Sequence, residues 1–529
     1  MPEAHEGAPS HTRRKLLLVG GFATANLLTL GKMGASGARP SQPAELPGGG
    51  VEPPERSSPQ DPPSLAGADA PPGADHVYDL VLLGGRVMDP ESGFDDIAHV
   101  GIDGGTVTNI SRERLSGKEE VDASDLVVAP GFIDILSYDP NPYGIWYKVG
   151  DGVTTNLGMH GIDNTAETFF DYWDRDERRP PTNFGGAFDS PFIRSTQFGL
   201  TPADAATPDQ IDALAAEATR QVKQGWLGID VEPEYTPEVT YDEIKGLAEV
   251  AAKLNVPMFF HGRYSDPDPP GTNADTLDEI LRTAEDTGAA VHVEHITSTG
   301  GTFTMEESLA TLDAARDKGT DVTACMYPYD YWATYLGSAR FAEGWQDRFR
   351  ISYGDLEIAG QGTRLTEDTF RYWQAQNPLV AAHGSIPEDD VVRALRSPWV
   401  MIGSDAILEE SNNNHPRSTG CFARTLGVYV REKNVIGLMD GLAKMTHLPA
   451  RRLEAGAPVF RRKGRVQIGA DADLTVFDPL RIRDRSTIAD PAQMSEGIEW
   501  VFVDGQAVLD PTGPRDDVRP GAPVRFQRA

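Results

Sequence analysis

Between Pro208 and Tyr329 the chain repeats one arrangement, an amphipathic stretch of helical period followed by a short β-rich apolar run. Pro208 to Gln224 leads into WLGIDVE, Tyr241 to Leu254 into VPMFFHG, Asp275 to Gly288 into AVHVEHI, and Met305 to Gly319 into DVTACMYPY. Strands separated by helices of this length run parallel, because only a crossover brings the chain back to the same end of a sheet. For a chain of 529 residues the favoured closure is an α/β (β/α)8 TIM barrel. A doubly wound sheet is the alternative, and neither a GxGxxG turn nor a P-loop supports it.

Such a barrel carries its chemistry at the C-terminal ends of its strands. His160, Asp230 or Glu232, His261, His295, Tyr327, His383 and Asp405 each fall at or just past the end of an expected strand, whereas His5, His11 and His76 fall outside the barrel. His261 and His295 end consecutive strands, so barrel curvature aims both imidazoles into the mouth.

Both ends of the ordered chain have a different texture. Short β-rich runs broken by Gly-Gly and Asp-Gly turns begin at Tyr78 and return in GRVQIGADADLTVFDP and WVFVDGQAVLD. Residues 77–129 and 456–529 are therefore expected to form one composite β-sandwich around a barrel at 130–455. Residues 39–76, rich in Pro, Gly, Ala, Ser and acidic side chains, read as a disordered linker. Residues 1–38 place Thr12-Arg13-Arg14-Lys15 before the apolar run Leu16 to Leu30 and a small-residue stretch from Met33 to Ala38. This order resembles a twin-arginine signal. It implies the twin-arginine machinery as a partner and export in folded form, to the outside or to a periplasmic or cell-wall space. Gly20, Gly21, Thr24 and Asn26 interrupt the run, and no cysteine follows it, so no membrane anchor is expected in the mature protein. The net charge of −32 argues against nucleic acid and anionic membrane surfaces. Two cysteines, Cys325 and Cys421, are too few for a disulfide framework.

Several motifs together resemble the amidohydrolase superfamily, and within it the N-acyl-D-amino-acid deacylases (D-aminoacylases). PGFID, GVTTNLGMHG, MFFHGRYSD, VHVEHITSTG, YPYDYW and PWVMIGSDA occur in that order, followed by His415-Pro416-Arg417, GCFARTLGVYVREK and RDRSTIADPAQMSEGIEWVFVDG. The resemblance runs from Tyr78 to the C-terminus, specific in the last third and degraded around the first two strands. Where the superfamily has a His-x-His metal pair this chain has Leu136 and Tyr138, and His160 stands where the branch has a metal-binding cysteine.

The resemblance implies a metal site of His160, His261 and His295, with Zn2+ expected at about one ion per chain. Three neutral imidazoles leave a fourth position in which a water is acidified towards a pKa of about 7. Asp230, Glu232 and His383 are possible further ligands or supports. Asp405, in the family's IGSD frame, is the expected proton shuttle. Arg263, Thr297, Tyr327, Tyr329 and His415 are the candidate substrate contacts. Thr297 replaces a family lysine, Arg263 holds either substrate or local structure, and His415 either touches substrate or orders its loop. The expected activity is metal-dependent hydrolysis of an amide C–N bond in a small-molecule substrate. Cyclic amide hydrolysis and a catalytically inactive binding protein are the alternatives, the latter favoured by Leu136 and Tyr138.

Overall fold

The computed structural model describes residues 61–411 and 413–527; the segment read as an export signal and most of the linker lie outside them. Residues 62–76, the end of that linker, run against the body of the chain: Leu65 N–H donates to the Ile468 carbonyl and Ile468 N–H to that of Pro63. Among the described residues no helix is long and apolar enough to cross a membrane.

The helices of the central repeat begin and end where the local chemistry dictates. Thr207 and Gln210 form a reciprocal capping box on Pro208–Gln224, with Pro208 in the first turn. Thr240 caps Tyr241–Leu254, which stops at Asn255 in the left-handed conformation. Asn273–Thr287 starts two residues earlier than the periodicity predicts, because Thr272 and Asp275 close a capping box there. Each helix packs its apolar face into one large core that includes Leu214, Ile244, Leu277 and Leu312.

The strands these helices connect are parallel and short. Phe188–Asp189, Ile229–Val231, Met258–Phe260, Val291–Val293, Val322–Met326 and Val400–Ile402 pair in that order in one six-stranded sheet. Phe132–Asp134, Val153–Gly158 and Asn183–Gly186 form a second parallel sheet of three. The two sheets adjoin at both margins. Only Ala187 separates Asn183–Gly186 from Phe188–Asp189, and Asp405 N–H donates to the Leu136 carbonyl at 2.6 Å.

Strands from both ends of the chain share one nine-stranded sheet, in which Leu474–Phe477 pairs antiparallel with Val127–Pro130. A smaller antiparallel sheet of Tyr331–Tyr335, Leu379–His383, Leu356–Ile358 and Thr363–Arg364 is inserted before the last parallel strand. His383 therefore ends a strand, as expected, but an antiparallel one outside the central sheets.

Candidate active site

Three histidines converge beyond the ends of the parallel strands. The ring centroids of His160 and His261 lie 5.5 Å apart, those of His261 and His295 4.7 Å, and those of His160 and His295 5.8 Å. All three are buried. His160 follows Val153–Gly158 on a turn that needs Gly161: φ there is +62°, and a Cβ would sit 2.7 Å from the Tyr138 ring. His261 donates its backbone N–H to the Val231 carbonyl. Its Nε2 lies 2.6 Å from Glu234 Oε2, and its Nδ1 is buried without a hydrogen-bond partner. His295 has φ of +28°. Thr299 Oγ1 lies 3.3 Å from its Nδ1, and its Nε2 lies 3.9 Å from Asp405 Oδ2.

Carboxylates complete the cluster. His160 Nδ1 lies 3.1 Å from Glu294, 3.5 Å from Glu232 and 3.6 Å from Asp230. Both oxygens of Glu294 and both of Asp230 lack hydrogen-bond partners although they are buried. Burial first, then their mutual repulsion, pushes the Glu294 carboxyl well above its usual range. Burial likewise lifts Asp230 to about 8 and raises Asp189. Burial lowers His261 and His295. Against the same burial, Glu232 and Glu294 raise His160.

These residues fit a metal ion. One donor atom each of His160, His261, Glu294 and His295 lies within 4.8 Å of the others, and buried nitrogens and carboxylate oxygens without partners are what an ion would occupy. Glu294 was not anticipated from the sequence. It adds a negative charge at a centre where an imidazole stands in place of the family's thiolate.

Asp405 lies beside His295. It is buried with φ of +50°. Arg417 Nη2 lies 2.9 Å from its Oδ2, and the Tyr138 hydroxyl donates to its Oδ1 at 3.1 Å. Burial raises its pKa, but Arg417 and then the three histidines outweigh burial and hold the carboxylate ionised. The preceding Ser404 is anchored from below. Its backbone N–H and hydroxyl both donate to Asp134, which also accepts from the buried Lys148 ammonium at 2.8 Å. Leu136 is core, so close to Gly403 that a Cβ on the glycine would sit 2.7 Å from the leucine Cβ.

The remaining candidates divide. Tyr327 and Tyr329 are buried with their hydroxyls unpartnered, and the guanidiniums of Arg417 and Arg424 lie over their rings at 4.5 and 4.8 Å. His415 accepts Arg417 N–H on Nδ1, which leaves the proton on Nε2, a buried atom without a partner. The Thr297 hydroxyl is also buried and unpartnered. Arg263 is committed elsewhere, to the Glu279 carboxylate and to the carbonyls of Pro237 and Val239. His383 stands apart, with Nε2 2.9 Å from Glu357 and its ring stacked on Tyr331. Glu234, Arg340 and Arg417 were given no role from the sequence, since acidic and basic side chains are usually solvated and Arg340 and Arg417 lie in helical segments rather than at strand ends.

Residues 192–509 match the Amidohydrolase family. The chain is 29% identical over 490 residues to the N-acyl-D-glutamate deacylase of Alcaligenes xylosoxydans xylosoxydans, covering 84% of this chain and 96% of that one. It is 28% identical to the D-aminoacylase of the same organism, over 82% of this chain and 94% of the relative. Among solved structures, the N-acyl-D-glutamate deacylase of Bordetella bronchiseptica, complexed with zinc and a phosphonate that mimics the tetrahedral intermediate, superposes with a TM-score of 0.73. That match has 27% identity and covers 85% of this chain and all of that one. The matched span, the near-complete coverage of these relatives and the histidine cluster lead to one conclusion: the chain belongs to the amidohydrolase family of metal-dependent hydrolases, in its D-aminoacylase branch.

Proposed function

We propose that this chain is a zinc-dependent deacylase that hydrolyses the amide C–N bond of N-acyl amino acids or closely similar small amides, with Asp405 as the proton shuttle. The observation that carries the reading is the convergence of His160, His261, Glu294 and His295 at a point to which Asp405 is adjacent, 3.9 Å from His295 Nε2. The fold proposed for it is a closed (β/α)8 barrel. Asn183–Gly186 and Phe188–Asp189 count there as one strand interrupted at Ala187, the Asp405-to-Leu136 hydrogen bond supports closure, and the terminal sheet folds over as a small sandwich.

His160, His261, Glu294 and His295 would hold the ion, and His261 would offer Nδ1 because Glu234 occupies its Nε2. A zinc ion bound there would supply polarisation of the amide carbonyl and acidification of a water. Asp405 takes a proton from the attacking water as the water oxygen adds to the carbonyl carbon. When the C–N bond breaks, Asp405 returns the proton to the leaving nitrogen, giving a carboxylic acid and an amine. The Arg417 guanidinium and Tyr138 hydroxyl fix both carboxylate oxygens, so the ionised acceptor is aimed before substrate arrives. The unpartnered hydroxyls of Thr297 and Tyr327 and the His415 Nε2 proton are available to substrate polar groups.

Asp405→Asn tests the shuttle, since asparagine fills the same volume but cannot accept the proton. It should keep the metal and lose about 10²–10⁴-fold in turnover on a panel of N-acyl-D- and N-acyl-L-amino acids. Turnover within about threefold of wild type, well short of that contribution, would assign the shuttle to the wrong residue.

A further inference from the structure

The site is enclosed, so the charge of whatever enters it has to be met by the protein. His261, His295, Thr297, Tyr327, Asp405 and His415 are all buried, and a carboxylate brought there from water is costly unless an uncommitted cation meets it. The guanidiniums around the cluster are already committed. Arg340 spends four hydrogen bonds on Glu234 and Ser298. Arg424 pairs with Asp484 and donates to the Pro328 carbonyl, and Arg263 holds Glu279. Arg417 keeps one buried nitrogen, Nε, without a partner, but its charge is met by Asp405 at 2.9 Å. A substrate carboxylate at that nitrogen would set two anions on one guanidinium and loosen its hold on Asp405. Glu294 and Asp230, buried 3.1 and 3.6 Å from His160, set further negative charge against any ion the cluster holds.

What the site offers a ligand instead is uncharged. The hydroxyls of Thr297 and Tyr327 and the Nε2 of His415 are buried without partners. The Tyr327 ring centroid lies 6.3 Å from that of His295 and 6.2 Å from that of His415. Each hydroxyl can donate or accept, and His415 Nε2 donates because its Nδ1 accepts the Arg417 N–H. A carboxamide or an alcohol both donates and accepts and so satisfies such a set, whereas a carboxylate only accepts and an ammonium only donates. Thr297 follows His295 by two residues, in the place of the family's lysine, so the substitution takes a cation out of the site. We propose that Thr297, Tyr327 and His415 form an uncharged recognition subsite, and that the substrate carries a carboxamide or hydroxyl where an N-acyl amino acid carries its carboxylate. The substrate class is then N-acyl amino amides and N-acyl amino alcohols. The proposal deepens the deacylase reading above and rests on it.

The test uses the full zinc-loaded chain and three compounds that differ in one group: N-acetyl-leucine, N-acetyl-leucinamide, and the analogue in which an aminomethyl group replaces the carboxylate, each in D and L forms. Release of acetate is measured, because it reports the same bond in all three. The kcat/KM for the carboxamide should exceed that for the carboxylate and that for the ammonium by at least about tenfold, a lower bound for an unmet charge in an enclosed site. A carboxylate or an ammonium turned over as well as the carboxamide overturns the uncharged subsite and leaves the deacylase reading standing. Acetate released from none of them, in either hand, overturns the deacylase reading and this proposal with it. Thr297→Lys returns a cation to the subsite and should move the carboxamide-to-carboxylate ratio at least about tenfold towards the carboxylate, mainly through KM. A ratio unchanged from wild type overturns the assignment of Thr297. Where a melting curve shows that the lysine variant does not fold, Thr297→Val, which keeps the shape and removes the hydroxyl, should narrow the same ratio, and an unchanged ratio there overturns the assignment as well.

Discussion

Glu234 shows how one side chain sets the chemistry of another. It accepts from the Ser265 hydroxyl and twice from the buried Arg340, and it lies 2.6 Å from His261 Nε2. Burial pushes its pKa up, but Arg340 and His261 pull it down to about 2, so it is a carboxylate throughout the working range. A carboxylate at Nε2 demands the proton there, which leaves the Nδ1 lone pair for the ion. Glu234→Gln should therefore weaken zinc affinity about 10–100-fold, measured by competition with a chromophoric chelator, the usual cost of losing such a support. Unchanged affinity would mean that packing alone orients the ring. His261 and His295 were legible in the sequence because each ends an apolar run. Glu294 was not, because alternation along a strand turns neighbours to opposite faces. The strand stops at Val293 and His295 takes φ of +28°, so both residues reach the cluster.

At the scale of elements, helix spans followed from capping residues and period, whereas strands expected over about seven residues pair over only three, as at Ile229–Val231 and Met258–Phe260. The remainder of each run peels away to form the site, which pattern alone does not reveal. The insertion carrying His383 was missed for a related reason: its strands have the same composition as the parallel ones, and only long-range pairing tells them apart. The helix Gly144–Gly150 is tied to the one that follows Arg417 by Asp151, which accepts from the N–H groups of Phe422 and Ala423 and from the Ser495 hydroxyl. Burial outweighs those bonds and lifts Asp151 from 3.8 to about 7. A carboxyl raised on folding stabilises fully below its unfolded pKa, and that stability is lost as pH rises through the folded value. Wild-type stability should therefore fall between about pH 4 and pH 7 through this group, and Asp151→Asn should flatten the slope whatever it does to the absolute value. Urea midpoints across that range are the measurement, and an unchanged slope would show that Asp151 is ionised in the folded protein.

For the molecule as a whole, a net charge of −32 means self-repulsion, and part of the excess is buried at the junction of the two parallel sheets. The sequence showed the excess but not its location, because an acidic residue at a strand end looks the same whether it is solvated or facing His160. A cation bound there would link the Val153–Gly158, Met258–Phe260 and Val291–Val293 strand ends through His160, His261, Glu294 and His295, and so would act on the fold as well as on the reaction. An ion that binds the folded chain and not the unfolded one stabilises by RT ln(1 + [M]/Kd), about 4 kcal/mol at a thousandfold excess over Kd. Removing it with a chelator should lower the melting temperature by several degrees, and readdition of Zn2+ should restore it, with no substrate needed. Mg2+, which dehydrates reluctantly and suits an all-oxygen octahedral site, should restore much less. His295→Ala should be less sensitive to the chelator than wild type, because it has already lost a ligand that gives the ion its hold on the fold. If chelation leaves the melting curve of wild type unchanged while elemental analysis shows the metal gone, the strand ends are held by protein contacts alone, and the cluster is a catalytic feature without a structural one.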